Sequence, residues 1–519
     1  MKKTLPILLT FCMLAFTSKT YSQAGARYLS ETFSSVTVST NVTYGNNISV
    51  LTGSPSSIPL VMDVYQPTGD VLTARPLIIV LHAGSFLPSV ANGMAIGKRT
   101  DSAVVEMCMK FAKRGYVAVS ADYRLGWNAL SANQDVRTGT LLNAVYRGLQ
   151  DAKNCVRFFK NDAATTNVYK IDVNRIAVGG FGAGAYLALA YGSLNKTAEL
   201  NLSKFINQSA TPPASYVNQL TAGNFDGTDV TVLNTPNYAT QSSSINVAFS
   251  LGGAAGDSSW IEAGETPIIC LHAYKDPYAP YKTGNVIVAA TGQFVVEASG
   301  SFDATKRSTR LGNQAIFQNS VFNDVYSTKA IANSAGIPGL YTHITPTPGP
   351  SLACGPQIEQ SAPWDWWNEP VFIASYNAYS GTLNGTPLAC KLKLENPDMS
   401  ATKGRKYMDT IQGFLNPRLV CALNLAGCVS SVGINELSNR NDLNIYPNPV
   451  TSEINYLVEG NNIIKKIDLY DAIGRIVISI DGLNTNKFTL NRNQLNQGLY
   501  FSKIELGNKT ILSKKIIIQ

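Results

Sequence analysis

The 519-residue sequence has little charge, little histidine and few long apolar runs. Only 15% of its residues are charged, against about 25% in an average soluble domain. Its 45% hydrophobic content excludes a highly charged disordered chain. No dense Lys/Arg run occurs, so the basic patch of a nucleic-acid-binding protein is missing. Beyond the N-terminus no apolar run reaches about 18 residues, and no transmembrane helix is predicted.

Residues that bind metals are also scarce. The chain has three His and eight Cys, and no Cys-x-x-Cys pair, so we predict no zinc site and no cofactor. Seven cysteines lie beyond residue 22, and spacing alone does not fix their pairing. We take Cys354 with Cys390 and Cys421 with Cys428 as candidate disulfides. Cys108 and Cys155 either form a bridge or fill the core, and Cys270 is expected to be a free thiol.

The N-terminal segment has the order of a secretory signal peptide. Lys2 and Lys3 precede the short apolar stretch 5–16, and small residues approach a cleavage point after Ser22. A positive start, a short apolar core and small residues are the features of an export signal. We therefore predict a signal peptide over residues 1–22 and a secreted or surface-exposed protein in which disulfides are permitted.

Residues 75–280 alternate between buried strands and helices. Continuous apolar runs predict strands buried on both faces, and 3.6-residue periodicity predicts helices. This alternation predicts a doubly wound, mostly parallel α/β sheet within residues 23–428. We expect residues 284–340 to be an insertion that forms a cap or lid, and a final helix near 401–415. The predicted strands are 77–81, 116–121, 176–178, 247–251 and 267–272, and the helices are 101–115, 139–160 and 183–191.

The C-terminal part contains strands only. Residues 429–440 are polar and weakly patterned, and they predict a linker. Residues 441–519 carry Tyr446-Pro-Asn-Pro, then Leu469-Tyr-Asp with Gly474-Arg475, then Gly498-Leu-Tyr-Phe and a Lys-Lys-apolar tail. In order and spacing this unit resembles the type A sorting domain of the type IX secretion system of Bacteroidetes. The resemblance implies a small all-β sandwich that addresses the protein to the secretion machinery and the outer-membrane surface. The alternative is a β-sandwich that binds carbohydrate.

Three segments of the α/β part carry a second resemblance. Residues 82–86, His-Ala-Gly-Ser-Phe, follow a buried strand; residues 114–125 span the next strand and its turn; residues 172–180 lead into a glycine-rich turn. Together they resemble the α/β-hydrolase fold, and within it the carboxylesterases. The resemblance implies an oxyanion hole made by the backbone N–H groups of Ala83 or Gly84 and Ala183.

The nucleophile position departs from that family. The expected Gly-x-Ser-x-Gly turn is Gly180-Phe-Gly-Ala-Gly184, so Gly182 stands at the nucleophile position. Glycine has no side chain and cannot form an acyl-enzyme. The turn usually holds its central residue in an unfavourable backbone region, which glycine adopts freely. Loss of the serine would therefore leave the turn undisturbed.

The two remaining triad positions have candidates. Asp276 follows a late strand and matches the family's acid, although its carboxylate is as well suited to capping a turn. The family order requires a histidine after the acid, and His343 is the only one left. We expect His82 to belong to the oxyanion loop and His272 to be structural.

Other nucleophiles and an aromatic cluster were weighed. Ser85 lies on the oxyanion loop and Cys270 in a buried strand without an electropositive neighbour, so neither replaces Gly182. The tryptophans of residues 364–367, Trp-Asp-Trp-Trp, form either one wall of an apolar or sugar-binding pocket or part of the core, and we favour the core.

Three functions remain open at this stage. The first is a disarmed esterase-like protein that binds an ester, glycan or peptide ligand, and the missing serine favours it. The second is an active ester hydrolase with another nucleophile, or with water activated by Asp276 and His343. The third is a structural or adhesion protein that uses the fold as a scaffold. The preserved oxyanion segment and the lid-like insertion favour the first two over the third.

Overall fold

A computed structural model describes residues 27–89, 91–289, 291–380, 385–429, 443–458, 462–492, 495–507 and 511–519. The predicted signal peptide and almost all of the predicted linker lie outside these residues. The chain divides into two compact units, residues 1–429 and 430–519. No helix among the described residues has the length and apolar character needed to cross a bilayer.

The first unit contains strands β1–β13 and helices α1–α10. The strands are β1 (Val36–Ser49), β2 (Ser56–Pro67), β3 (Arg75–Leu81), β4 (Val117–Ala121), β5 (Ile171–Phe181), β6 (Ile206–Asn207), β7 (Ala214–Ser215), β8 (Val247–Leu251), β9 (Ala254–Ala255), β10 (Ile268–Ala273), β11 (Gly284–Ile287), β12 (Phe294–Gly300) and β13 (Leu340–His343). The helices are α1 (Ser102–Lys113), α2 (Gln134–Ala164), α3 (Ala183–Tyr191), α4 (Gln219–Ala222), α5 (Ser301–Arg310), α6 (Ala315–Gln318), α7 (Val325–Asn333), α8 (Glu369–Ser380), α9 (Gly385–Leu392) and α10 (Ala401–Ala422).

Eight strands form the central sheet in the order β1-β2-β4-β3-β5-β8-β10-β13. The pairs from β4 to β13 are parallel, whereas β1, β2 and β4 pair antiparallel. The parallel part of the sheet is the one that the alternating strands and helices of the sequence predict. The carboxyl ends of these strands lie at one edge of the sheet, where open α/β sheets bind ligands.

The sheet is covered on both faces. Side chains of β3 alternate between the two: Ile79 packs in the cluster that includes Leu149 of α2 and Leu187 of α3, whereas Ile78 packs in the cluster that includes Phe111 of α1 and Phe414 of α10. A strand buried on both faces must be apolar at every position, which explains the uninterrupted run of this strand. The first unit is therefore a doubly wound α/β domain.

The predicted insertion has two different parts. Residues 284–300 form the β11–β12 hairpin, which pairs with β9. Residues 301–340 do not continue this hairpin: they form α5, α6 and α7 and return to the central sheet as β13, which pairs with β10. Only the first part borders the cavity described below.

The second unit consists of two antiparallel sheets. Its strands are β14 (Leu443–Tyr446), β15 (Glu453–Val458), β16 (Ile464–Asp471), β17 (Ile476–Ile480), β18 (Lys487–Asn491), β19 (Gly498–Leu506) and β20 (Ile511–Ile518). One sheet has the order β14-β15-β18 and the other β17-β16-β19-β20. One apolar cluster includes residues of both sheets, as expected for a small sandwich.

Two disulfides link the C-terminal part of the first unit, Cys354 to Cys390 and Cys421 to Cys428. Both pairings are as predicted. Cys108, Cys155 and Cys270 are free and buried. Cys108 and Cys155 pack in the clusters on opposite faces of the sheet, so they fill the core and form no bridge.

Candidate functional site

Strand β5 runs directly into helix α3 through Gly182. This residue has φ 47° and ψ −112°, a backbone conformation that strains any residue with a Cβ atom. Its N–H donates to the carbonyl of Leu251 over 2.9 Å, and its own carbonyl accepts from the N–H of Ala185, also over 2.9 Å. The backbone therefore makes the sharp strand-to-helix turn expected of a nucleophile elbow, with glycine at its centre.

The three glycines of the elbow have different surroundings. A Cβ on Gly180 would lie 2.4 Å from the carbonyl carbon of Gly184, and one on Gly184 would lie 2.3 Å from the carbonyl oxygen of Leu81. A Cβ on Gly182 would meet only the Cβ of Ala83, at 3.2 Å. The two outer glycines are thus required by close backbone approach, whereas a side chain at the central position would meet one tight contact to Ala83 and the strain of the positive φ.

The loop after β3 supplies backbone donors opposite the elbow. Within the described residues, the N–H groups of Ala83, Gly84 and Ala183 donate to no other group. Ala183 is the first residue of α3, where N–H groups have no partner within the helix. All three residues line the same cavity as Gly182. Free backbone N–H groups beside the nucleophile position are the components of an oxyanion hole.

The oxyanion loop has a strained backbone. Gly84, Ser85 and Phe86 all have positive φ, at 111°, 53° and 58°. The indole N–H of Trp127 donates to the carbonyl of Ser85 over 2.7 Å, which holds the loop in this conformation. Strain of this kind persists only where the surroundings enforce it, and it concentrates at functional sites.

A cavity of about 180 Å³ opens between the elbow, the oxyanion loop and the β11–β12 hairpin. Its walls are mostly apolar, and they include Phe86, Phe181, Trp260 and Trp364. The structure brings five of the six predicted site residues to this cavity: Ala83, Gly84, Gly182, Ala183 and Asp276. The sixth, His343, is not among the described residues that line it.

Asp276 lies on the turn after β10, with its side chain 4% exposed. One carboxylate oxygen, Oδ1, accepts from the N–H groups of Tyr278 at 2.8 Å and Ala279 at 3.0 Å. The other, Oδ2, lies 3.6 Å from Nε2 of His272. Asp276 therefore both caps a turn and faces a histidine, but this histidine lies on strand β10 and does not line the cavity.

The structure gives His343 a place in the core. It ends β13, and its ring packs against the rings of Tyr341, Trp364 and Tyr407. Its Nε2 is buried and has no partner, and it forms no ion pair with Asp276 among those found in the described residues. Burial lowers the pKa of His343 to about 3, with smaller contributions from Lys329 and His272. It is neutral and enclosed at ordinary pH.

The other two histidines also have structural partners. His82 is stacked on Tyr123 with ring centroids 4.5 Å apart, and its Nδ1 lies 2.6 Å from the carbonyl oxygen of Ala83. His272 is hydrogen-bonded at Nδ1 to Ser301 over 2.8 Å and at Nε2 to the carbonyl of Ala279 over 3.1 Å. None of the three histidines of the chain therefore lines the cavity.

Comparison with known families agrees with this architecture. Residues 62–290 match the BD-FAE family model, and residues 444–519 match the secretion system C-terminal sorting domain. The two units are an esterase-like α/β-hydrolase and a type IX sorting domain. The sorting domain indicates secretion or attachment to the outer surface. A search of curated proteins found no match.

Solved structures similar to the chain include forms of esterase 2 from Thermogutta terrifontis. The paraoxon-phosphorylated form is 18% identical over 46% of this chain and 74% of the esterase, with a TM-score of 0.29. The native form is 18% identical over 50% of this chain and 78% of the esterase, with a TM-score of 0.28. The butyrate-bound form is 18% identical over 43% of this chain and 70% of the esterase, with a TM-score of 0.28.

Sequence analysis weighed residues 364–367, on the loop that follows β13, as a pocket wall but favoured the core, and it gave Asp365 no role. This loop carries Trp364 and Asp365 to the cavity. Trp364 is 1% exposed, and its ring also lies 3.7 Å from where a Cβ on Gly252 would stand. It is therefore both core and cavity wall. A single acid among three tryptophans is the sequence signal that pointed to this loop.

Two carboxyl groups of this region have shifted pKa values. Burial raises the pKa of Asp365 well above its usual range, and the neighbouring carboxyls of Asp101 and Glu395 add to the effect. Burial also raises the pKa of Glu395 to about 7, with a further contribution from Asp276. Ser361, which lines the cavity, donates to Glu395 over 3.3 Å. The cavity thus has an acidic side with little compensating positive charge.

Proposed function

We propose that this protein is a disarmed esterase-like α/β-hydrolase, which binds a small carbonyl-containing ligand outside the cell and does not hydrolyse it. One observation carries the proposal: the nucleophile position is Gly182, and no histidine lines the cavity around it. Serine esterases need both a nucleophile and a base within hydrogen-bond reach of it. This chain has neither group at the site.

The parts that remain are suited to binding. The free N–H groups of Ala83, Gly84 and Ala183 would hold a carbonyl oxygen, because an oxyanion hole needs only backbone donors. The apolar walls would hold the body of the ligand. A cavity of about 180 Å³ is slightly larger than the roughly 150 Å³ apolar cavity that accommodates benzene in an engineered protein. The expected ligand is therefore small.

Export belongs to the same proposal. The type IX sorting domain over residues 444–519 supports delivery through that machinery, and we propose that residues 1–22 are the signal peptide that precedes it. A ligand-binding protein at the outer surface would meet small esters, or ester-bearing fragments of glycans and peptides, in the medium.

Active hydrolysis is the competing function, and its requirements are poorly met. Oγ of Ser85 lies 3.9 Å from the sulfur of Met94, and no histidine lines the cavity to activate it. A directly activated water would rely on Asp276, but one of its oxygens is committed to two backbone N–H groups. These contacts support binding over turnover.

The test compares the mature full chain with its Gly182→Ser variant on p-nitrophenyl esters of two to six acyl carbons. We expect no turnover above background by either protein, and binding of the matching ketones by both, measured by calorimetry. Turnover by the natural protein that disappears in Asp276→Asn would overturn the proposal. A large gain of activity in Gly182→Ser would show that a base does reach residue 182.

A further inference from the structure

The carboxyl group of Asp365 has no partner within the described residues. This residue is 7% exposed and lines the cavity. No described N–H or O–H group donates to its carboxyl, and no described Lys, Arg or His lies within ion-pair distance of it. Buried acids are normally paired, because burial of a charge without a partner is costly. Among the described residues, no protein group pairs with the carboxyl of Asp365, which is therefore available to a group that enters the cavity.

A second polar group without a partner belongs to a residue that lines the same cavity. The hydroxyl of Tyr186, a cavity-lining residue of α3, is buried and makes no hydrogen bond. Buried tyrosine hydroxyls usually find a partner. Asp365 lies on the loop after β13, so these two unsatisfied groups come from different elements and belong to the same apolar cavity.

The charge of the cavity selects among ligands. Its described lining contains two aspartates, Asp276 and Asp365, and no Lys, Arg or His. An anionic ligand would therefore be repelled. The rings of Trp127, Trp260 and Trp364 also line the cavity, and aromatic faces attract cations through their quadrupoles. Carboxyl groups beside tryptophan rings favour a positively charged ligand.

We propose that the cavity binds a small organic ammonium compound, whose nitrogen pairs with Asp365 and whose apolar body lies against the tryptophan walls. This inference rests on the proposed function in one respect, namely that the cavity binds a ligand and does not turn it over. It adds the chemical class of the ligand, which the oxyanion-hole geometry alone does not specify.

Binding of an ammonium group should release a proton. Burial and the neighbouring carboxyls of Asp101 and Glu395 raise the pKa of Asp365 well above its usual range, which favours the neutral form of this acid in the free protein. An ammonium ion favours the carboxylate and lowers that pKa. The affinity should therefore rise with pH until Asp365 is ionised in the free protein.

The test uses three probes of one shape on the full mature chain: phenethylammonium, neutral 2-phenylethanol and anionic 3-phenylpropanoate. Calorimetry in two buffers of different ionisation enthalpy reports affinity and proton release. We expect phenethylammonium to bind at least about tenfold more tightly than the alcohol, the carboxylate to bind most weakly, and phenethylammonium binding to release protons. Equal binding of the three probes would overturn the proposal.

Variants locate the site. Asp365→Asn should weaken phenethylammonium binding about tenfold or more, abolish proton release and leave 2-phenylethanol binding unchanged. The matched control is Asp398→Asn, because the side chain of Asp398 is 69% exposed and pairs with Lys403; it should change nothing. If Asp365→Asn does not fold, the three probes on the natural protein still decide. Selective ammonium binding in a protein that hydrolyses esters would refute the proposed function and keep this inference.

Discussion

The two ends of the candidate site differ in how closely they match the arrangement expected of a serine esterase. At the elbow, the backbone around Gly182 keeps the geometry of a nucleophile turn, and its outer glycines are still required by contacts to Gly184 and Leu81. At the end of β13, His343 is enclosed by aromatic rings, and the following loop brings Trp364 and Asp365 to the cavity. The elbow therefore differs from the expected motif at one side chain, whereas the end of β13 brings no histidine to the cavity.

This difference shows why restoring a single residue should not restore an enzyme. Residue 182 has space for a Cβ next to Ala83. A serine there would still lack a base, because general-base catalysis requires a group within about 3 Å or one water of the hydroxyl. The two ends can be tested separately, since they lie on different elements.

The largest expected effect concerns the disulfide that encloses the loop after β13. Cys354–Cys390 spans 36 residues that include Trp364 and Asp365. The entropy of loop closure predicts a loss of about 4 kcal/mol when both cysteines become serine. The Cys421–Cys428 bridge spans only 7 residues and should cost about 2 kcal/mol. Urea unfolding measures both, and equal losses would contradict the loop-length argument.

The next effect distinguishes the glycines of the elbow. Gly184→Ala should destabilise the fold by about 3 kcal/mol, since its Cβ would clash with the backbone of Leu81. Gly182→Ala should cost only about 1 kcal/mol, from the strain of its positive φ. Both variants add one methyl group, and they differ only in how closely the surrounding atoms approach that group. A similar loss in both variants would show that the elbow as a whole is intolerant of side chains.

A pH profile tests the acidic side of the cavity. The pKa of Glu395 is about 7 in the folded protein and close to 4.5 when unfolded. Between these values the unfolded state ionises first, so the free energy of unfolding should fall as pH rises. The loss is on the order of 2 kcal/mol after allowance for solvent contact. Glu395→Gln should flatten the profile between pH 4.5 and 7, and an unchanged profile would contradict the shifted pKa.

The smallest expected effect is on turnover. Gly182→Ser should hydrolyse p-nitrophenyl acetate within about twofold of the natural protein, because no histidine lines the cavity to accept the proton. The matched control is Gly182→Ala, which tests the backbone strain without the hydroxyl. A gain of about a hundredfold in the serine variant alone would place a base at the site and remove the contrast between the two ends.

Much of the fold could be predicted from the sequence because its signals are local. The apolar runs of β3 and β8 predicted buried strands, and the Gly-x-Gly-x-Gly spacing predicted the turn at Gly182. The position of His343 could not be predicted in this way. It depends on how α5, α6 and α7 return the chain to the sheet, and a short apolar segment such as β13 has no local signal that distinguishes it from a loop.

The role of Asp365 was missed for a related reason. Its flanking tryptophans indicate burial, and burial was interpreted as core. An acid within such a segment cannot be ordinary core unless it has a partner, and the search for that partner needs the three-dimensional surroundings. The sequence also could not show that the hydroxyl of Tyr186 is buried without a hydrogen-bond partner, because this depends on which groups surround it in the folded protein.

The distribution of cysteines makes the cavity dependent on where the protein is. The free, buried thiols of Cys108, Cys155 and Cys270 lie on α1, α2 and β10, so the central sheet and these two helices need no oxidation to form. Both bridges lie after β13, and one of them encloses the segment that completes the cavity wall. Inside a reducing cell that segment would lack its cross-link. Before export the segment that bears Trp364 and Asp365 would be held by packing alone, so this cavity wall should be less stable there than after the bridge forms.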